Sequence, residues 1–166
     1  MSVTERLLAN ADSYACAFIE GDLPEPPSTH VAIVSCMDAR LDLYRIFGLR
    51  EGEAHMIRNA GGIITDDTIR SLSISQRNLG TREVILVHHT ECRMLTFTDE
   101  AFADQMEQDT GVRPPWDAGA FTDLDDDVRK SIVKVRDSPF VPATDAVRGF
   151  VYDVHSRKLT EVHADH

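Results

Sequence analysis

Two short segments of this 166-residue chain carry side chains that could bind a metal. The first contains Cys36 and Asp38, and the second contains His89 and Cys92. Two thiolates, one imidazole and one carboxylate form a complete tetrahedral ligand set for zinc. Arg40 stands two residues after Asp38, close enough to compete with a metal for that carboxylate. The combination predicts a catalytic zinc whose fourth position can be exchanged.

The elements that must position these side chains read as alternating strands and helices. Cys36 follows directly on a short apolar run, 31–35, and His89 ends another, 83–89. Such runs are typical of buried parallel strands. Because the carboxyl ends of parallel strands meet at one edge of a sheet, both ligand segments are expected at that edge. In an extended segment Cys36 and Asp38 also point to the same side.

The remaining pattern predicts a single α/β domain over residues 1–166, with a central, mostly parallel β-sheet flanked by helices. Residues 1–28 are expected to form an N-terminal helical arm and a proline-rich linker, and residues 29–166 the α/β core. The arm is a helix over the first twenty residues, and its apolar stripe needs a surface to cover it. Further helices are expected over 41–47, from 65 to just before Gly80, 98–108 and 123–136. Further strands are expected over 54–58, 149–154 and 158–162.

Each candidate ligand has a less specific interpretation when it is taken alone. A cysteine after a strand is usually a core residue, and His88 or His89 could simply end the sheet. An Asp-x-Arg pair is often a surface ion pair of little energetic value. Other cysteine chemistries fit the spacing less well: residue 42, where a phosphatase loop would carry arginine, is Asp42, and no Cys-x-x-Cys pair is present. Together the four side chains are hard to explain as packing alone.

Composition narrows the classes of partner. The net charge is −11, with 28 acidic and 17 basic residues, which disfavours binding to the phosphate backbone of nucleic acids. No apolar run is long enough to span a membrane and no secretory signal is visible, so the default expectation is a cytoplasmic protein with no membrane partner. The third cysteine, Cys16, lies among small and apolar residues and is expected to be buried.

The two ligand segments together resemble the β-class carbonic anhydrase family, in its short bacterial form. The segment from Arg58 to Gly62 matches another recurrent segment of that family, and the likeness extends over nearly the whole chain. The resemblance implies a zinc ion held by Cys36, His89 and Cys92. Its fourth position would hold either water or Asp38.

The resemblance also implies a reaction, in which a zinc-bound hydroxide attacks carbon dioxide to give bicarbonate. Asp38 and Arg40 would be the catalytic side chains, because Arg40 draws the carboxylate off the metal when it pairs with it. The family forms dimers in which such arms wrap around the neighbour, so a homo-oligomer is expected, as a dimer or a dimer of dimers.

One position departs from the family pattern: Arg93 stands where a glycine usually follows the second cysteine. This departure keeps open the hydrolysis of carbonyl sulfide or carbon disulfide on the same scaffold. A structural zinc protein without catalytic activity is a further alternative. Arg40 argues against it, since a permanent site has no use for a cation that competes for its carboxylate.

Overall fold

The protein is described by a computed structural model that covers residues 2–18 and 21–164. Its centre is one five-stranded sheet in the order β2-β1-β3-β4-β5. The first four of these strands run parallel, and only the β4–β5 pair is antiparallel. The predicted single α/β domain with a mostly parallel sheet is therefore confirmed. The proposed boundary at residue 28 stays a prediction.

The strands lie close to the predicted positions. The strand predicted over 83–89 is observed as β3, and the others differ by one or two residues at their ends. Their bounds are β1 Val31–Cys36, β2 Ala54–Asn59, β3 Glu83–His89, β4 Val147–Tyr152 and β5 Leu159–Val162.

Three of the helices begin one residue later than predicted because the first residue of the predicted segment is the N-cap. Thr65, Thr98 and Asp123 each accept a hydrogen bond from a backbone N–H in the first turn, which satisfies a donor that has no partner within the helix. The helices are α1 Val3–Ala17, α2 Leu43–Phe47, α3 Asp66–Arg77, α4 Asp99–Thr110 and α5 Leu124–Arg136. Short 3₁₀ turns occupy Ala60–Gly62 and Arg93–Leu95.

The two faces of the sheet have separate apolar cores. Helices α3 and α5 cover one face, where Leu72, Val128 and Ile132 pack on the apolar side chains of β1 and β3. On the other face Leu43 of α2 joins a second cluster. Gly149 of β4 lets α5 approach closely, because a Cβ there would lie 2.4 Å from Cγ1 of Val128. These contacts hold β1 and β3 in place and so position the carboxyl ends of the two strands.

The N-terminal helix packs differently from the others. None of its residues is buried, and Val3, Leu7 and Leu8 are each more than half exposed. Cys16 is also exposed, so the prediction that it is a buried core residue is wrong. The reason is that α1 is not inserted into either core of the chain. The predicted helix ends at Ala17, and residues 19 and 20 of the prediction lie outside the described residues.

Within the described part of the chain, no helix is long and apolar enough to cross a membrane. The cytoplasmic location stays a prediction.

Candidate metal centre

Three of the predicted ligands meet at the carboxyl edge of the sheet. Cys36 is the last residue of β1 and His89 the last of β3, and the parallel register of these neighbouring strands brings their ends together. Cys92 follows in the turn after β3. The candidate ligand atoms of the three side chains all lie within 4.8 Å of one another, and the two sulfur atoms are 4.0 Å apart. Sulfur atoms about 3.8 Å apart are expected for two thiolates on one tetrahedral zinc.

His89 is oriented toward this cluster by its backbone. Its Nδ1 lies 2.8 Å from the carbonyl oxygen of Thr90, and because a carbonyl can only accept, Nδ1 carries the hydrogen. In the neutral ring Nε2 then offers a lone pair. That Nε2 is buried and has no hydrogen-bond partner. A buried polar atom without a partner is costly, and a metal ion in the cluster would satisfy it.

The pKa shifts of the three side chains indicate that the cluster would be stabilised by a positive charge. Hydrogen bonding from Cys92 and from the backbone of Asp38 and Gly61, together with the adjacent His89 ring, lowers the pKa of Cys36 to about 4. The Cys36 thiolate in turn raises the pKa of Cys92, since two adjacent buried negative charges repel. Burial alone would lower the pKa of His89, but the same thiolate raises it. A divalent cation would replace these protons and neutralise both sulfurs.

Asp38 lies beside the cluster and is held by Arg40. Arg40 Nε donates to Oδ1 at 3.0 Å, Nη2 donates to Oδ2 at 2.8 Å, and the Arg40 backbone N–H donates to Oδ1 at 2.9 Å. These bonds hold the pKa of Asp38 at about 2. Oδ2 of Asp38 remains 3.8 Å from Nε2 of His89. The predicted fourth ligand is thus next to the metal donors but turned toward the arginine.

The segment that carries Cys36 and Asp38 is supported from β2 and the turn after it. Arg58 donates to the carbonyl oxygens of Cys36 and Asp38 at 3.0 and 2.7 Å. Gly62 packs against the end of β1 with a positive φ of 73°, and a Cβ there would lie 2.7 Å from the backbone nitrogen of Cys36. Only glycine fits this approach. The Arg58–Gly62 segment therefore shapes the loop that presents the ligands.

A cavity of about 510 Å³ lies next to the ligand segments and is lined by Met37 and Arg93, the residues that follow Cys36 and Cys92. Its lining is mainly apolar and includes Met37, Phe102 and Trp116. Arg93 also lines it, and within the described residues its guanidinium has no hydrogen bond or ion pair. Arg93 is not among the residues with positive φ, so the backbone here does not require glycine. Arginine in place of the glycine usual in the family thus adds a cation to the cavity without straining the turn.

The two adjacent histidines have different surroundings, and two further residues near the cluster were not predicted from the sequence. His88 is completely buried on the opposite face, where its Nε2 lies 2.7 Å from Oδ2 of Asp127, so it is a structural histidine. Glu91 and His155 extend the hydrogen-bond network outward from Arg40. Glu91 could have been suspected from its position between two ligands. Nothing in the sequence marks His155, which is far away in the chain.

Comparison with known proteins identifies the relatives of this arrangement. A family model described as carbonic anhydrase matches residues 31–130. The chain is 56% identical to beta-carbonic anhydrase 1 of Mycobacterium tuberculosis over 162 residues, which covers 98% of this chain and 99% of that protein. It is 32% identical to a carbon disulfide hydrolase of Saccharolobus solfataricus, over 83% of this chain and 79% of that protein.

Among solved structures, a carbonic anhydrase from Streptococcus mutans superposes with a TM-score of 0.92 at 40% identity. The match covers 98% of this chain and 99% of that one. The likeness in fold thus includes both ligand segments and the N-terminal helix.

The cluster generates a prediction about metal content. We expect Cys92→Ala to lose most of the bound zinc, because it removes one of three convergent donors, and Asp38→Ala to retain it. Elemental analysis of the purified variants measures this directly. Cys16→Ala is the matched control, since it removes an exposed cysteine that is not among the three clustered donors. Equal zinc content in Cys92→Ala and Asp38→Ala would mean that the ligand assignment is wrong.

Proposed function

The chain belongs to the β-carbonic anhydrase family of lyases, and from that premise we propose that it catalyses the reversible hydration of carbon dioxide with a zinc ion held by Cys36, His89 and Cys92. The observation that carries the proposal is the buried cluster of these three donors, with the unpartnered Nε2 of His89 facing two sulfurs. When bound, zinc would supply a nucleophile near neutral pH by lowering the pKa of a coordinated water.

Asp38 is suited to orient that nucleophile. A carboxylate offers about four lone-pair positions, and the Arg40 side chain and backbone occupy three hydrogen bonds to Asp38. Oδ2 can therefore still accept a hydrogen bond on the side that faces His89. Because the pKa of Asp38 is about 2, the carboxylate is ionised throughout the neutral range. Without Arg40 the same carboxylate would be free to become a fourth metal ligand and close the site.

The cavity beside the cluster is suited to the substrate. Carbon dioxide is small and without net charge, and a mostly apolar cavity admits it without requiring desolvation of polar groups. Bicarbonate, in contrast, is an anion. Arg93 gives the cavity one cation and Asp117 one carboxylate, so the balance of the two influences how well the charged product is held.

Hydrolysis of carbonyl sulfide or carbon disulfide is the second candidate function. It is favoured by the relative named carbon disulfide hydrolase and by the apolar lining of the cavity. It is disfavoured by the higher identity, 56%, to a protein named as a carbonic anhydrase. Both reactions need the same metal and the same nucleophile. The cavity, and not the metal centre, must therefore distinguish them.

We also propose that the functional unit is a homo-oligomer built on a dimer. The apolar side chains Val3, Leu7 and Leu8 of α1 are all more than half exposed in one chain. A second copy of the chain is the partner most consistent with a helix none of whose residues is buried in its own chain.

The first prediction concerns pH. Two thiolate ligands would cancel the charge of a divalent zinc, so the coordinated water is less acidic than it would be beside three histidines. We expect carbon dioxide hydration by the zinc-loaded enzyme to rise with pH above about 7. Stopped-flow measurement between pH 6 and 9 tests this, with zinc content checked at both ends. Asp38 cannot cause the rise, because its pKa of about 2 means that it is already ionised at the lowest pH of the measurement. A flat profile with zinc retained would contradict the proposal.

The second prediction concerns substrate choice. We expect the purified enzyme to hydrate carbon dioxide with a far higher kcat/KM than it shows for sulfide release from carbonyl sulfide or carbon disulfide. Removal of the cation by Arg93→Gly should raise KM for bicarbonate in the reverse reaction and leave KM for carbon dioxide unchanged. Asp117→Asn is the matched variant and should change KM for bicarbonate in the opposite direction. Faster turnover of either sulfur compound would favour the second candidate.

The third prediction concerns assembly. Leu7→Glu introduces a charge into the apolar stripe of α1 and should dissociate the dimer, as sedimentation velocity would show. Ala9→Glu adds the same charge on the other side of the helix and should leave the dimer intact. A Leu7→Glu protein that sediments as the wild type does would show that α1 is not at the interface.

A further inference from the structure

Arg40 contacts a second carboxylate besides Asp38. Its Nη1 donates to Oε2 of Glu91 at 3.2 Å, and its Nη2 donates to the backbone carbonyl oxygen of Glu91 at 3.2 Å. Glu91 lies in the turn between His89 and Cys92. The arginine that holds Asp38 is therefore itself held by the turn that carries the other two ligands.

The two carboxylates use different hydrogens of the guanidinium. An arginine side chain has five N–H groups in a rigid fork. Asp38 receives the Nε hydrogen and one Nη2 hydrogen, whereas Glu91 receives one Nη1 hydrogen and, through its carbonyl, the second Nη2 hydrogen. Glu91 thus does not compete with Asp38. It fixes the plane of the guanidinium from the opposite side.

The backbone of Glu91 is arranged for this contact. Its φ is +56°, in the left-handed region that a glutamate rarely adopts. This conformation presents both the carbonyl oxygen and the side chain of the same residue to Arg40. A non-glycine residue held in this region is maintained only when its surroundings stabilise it.

His155 contacts the outer side of Glu91. Its Nε2 lies 2.8 Å from Oε1 of Glu91, and its backbone N–H donates to Oδ1 of Asp153. The loop after β4 is joined to the same turn by a bond from the Val154 N–H to Oγ1 of Thr90 at 3.0 Å. Consecutive contacts therefore run from the loop after β4 through His155, Glu91 and Arg40 to Asp38.

The contacts in this series are individually weak. The side chains of Arg40, Glu91 and His155 are 47%, 54% and 76% exposed, and exposed ion pairs stabilise proteins little. Stabilisation of the fold is thus a poor explanation for the arrangement. What distinguishes the arrangement is the orientation of the Arg40 guanidinium, which is fixed by acceptors of Asp38 on one side and of Glu91 on the other.

We propose that Glu91, supported by His155, is a positioning residue that fixes the guanidinium of Arg40 and so keeps Asp38 turned away from the metal. The inference rests on the proposed function only for its catalytic consequence. The coupling between Glu91 and Asp38 through Arg40 exists in the polypeptide itself and can be measured without metal.

The test begins with the metal-free protein. Hydrogen exchange of the Arg40 Nε–H is measured by NMR, and its signal is assigned by its loss in Arg40→Lys. This hydrogen is donated to Asp38 and not to Glu91, so its exchange reports the Arg40–Asp38 bond. Glu91→Ala should accelerate this exchange about fivefold, the factor expected from the loss of one exposed ion pair. Glu91→Gln retains an acceptor oxygen and should restore slow exchange. His155→Ala should give an intermediate acceleration.

Glu161→Ala is the matched control, because Glu161 pairs with Arg148 on β4 and β5, away from the cluster. It should accelerate exchange at Arg148 Nε–H and leave Arg40 unchanged. Unchanged exchange at Arg40 in a folded Glu91→Ala protein overturns the proposal. Equal acceleration at Arg40 and Arg148 in Glu91→Ala also overturns it, since the effect would then be global destabilisation.

A second measurement connects the geometry to the metal. In the cobalt-substituted protein, Glu91→Ala should move the pH midpoint of the visible spectrum upward by about 0.7 pH unit, the same fivefold factor expressed as pH. Asp38 would then remain on the metal to a higher pH. An unchanged midpoint contradicts the proposal, and a Glu91→Gln midpoint like that of the wild type supports it. If cobalt does not bind at all, the proposed function fails, but the exchange result remains valid.

Discussion

Two buried sulfur atoms 4.0 Å apart impose the constraint on which the rest of this structure depends. They cannot both be ionised in an interior that offers them only hydrogen bonds and one imidazole, so the pKa of one thiol is lowered and that of the other is raised. A divalent cation removes the conflict. The orientation of His89, the close approach of Gly62 and the carbonyl contacts of Arg58 all serve to hold this arrangement together.

The site divides its charges into two zones. The buried zone consists of Cys36, His89 and Cys92. A cation is the favoured partner of these donors, because Nε2 of His89 has no hydrogen-bond partner and the two sulfur atoms are adjacent. The partly exposed zone consists of Asp38 and Arg40, where the interactions of the carboxylate are weaker and can be exchanged. A carboxylate that can either pair with an arginine or ligate a metal must lie at the boundary of these zones. A fully buried Asp38 would bind permanently, and a fully exposed one would seldom reach the metal.

The sequence was sufficient to predict that Cys36, His89 and Cys92 lie together, because their positions depend on local rules. Apolar runs predict parallel strands, such strands align their carboxyl ends, and Cys36 and His89 then meet without any knowledge of tertiary contacts. The exposure of Cys16 was not predictable in this way, because it depends on where α1 lies relative to the cores. Nor was His155, which reaches Glu91 only through the packing of the loop after β4. The role of Gly62 requires the distance to Cys36, which no pattern of residues provides.

The substitution at residue 93 shows how a family scaffold can change its cavity without changing its metal site. The turn between His89 and Cys92 places the left-handed conformation at Glu91, and Arg93 itself adopts ordinary 3₁₀ geometry, so the backbone does not select glycine at residue 93. The fold therefore does not require glycine at residue 93. The consequence of the arginine is confined to charge in a mainly apolar cavity. Because carbon dioxide and carbon disulfide are neutral and bicarbonate is not, we expect that charge to act on the bicarbonate formed by hydration and on neither neutral substrate. We therefore expect Arg93 to affect the return of bicarbonate more than the entry of either neutral molecule.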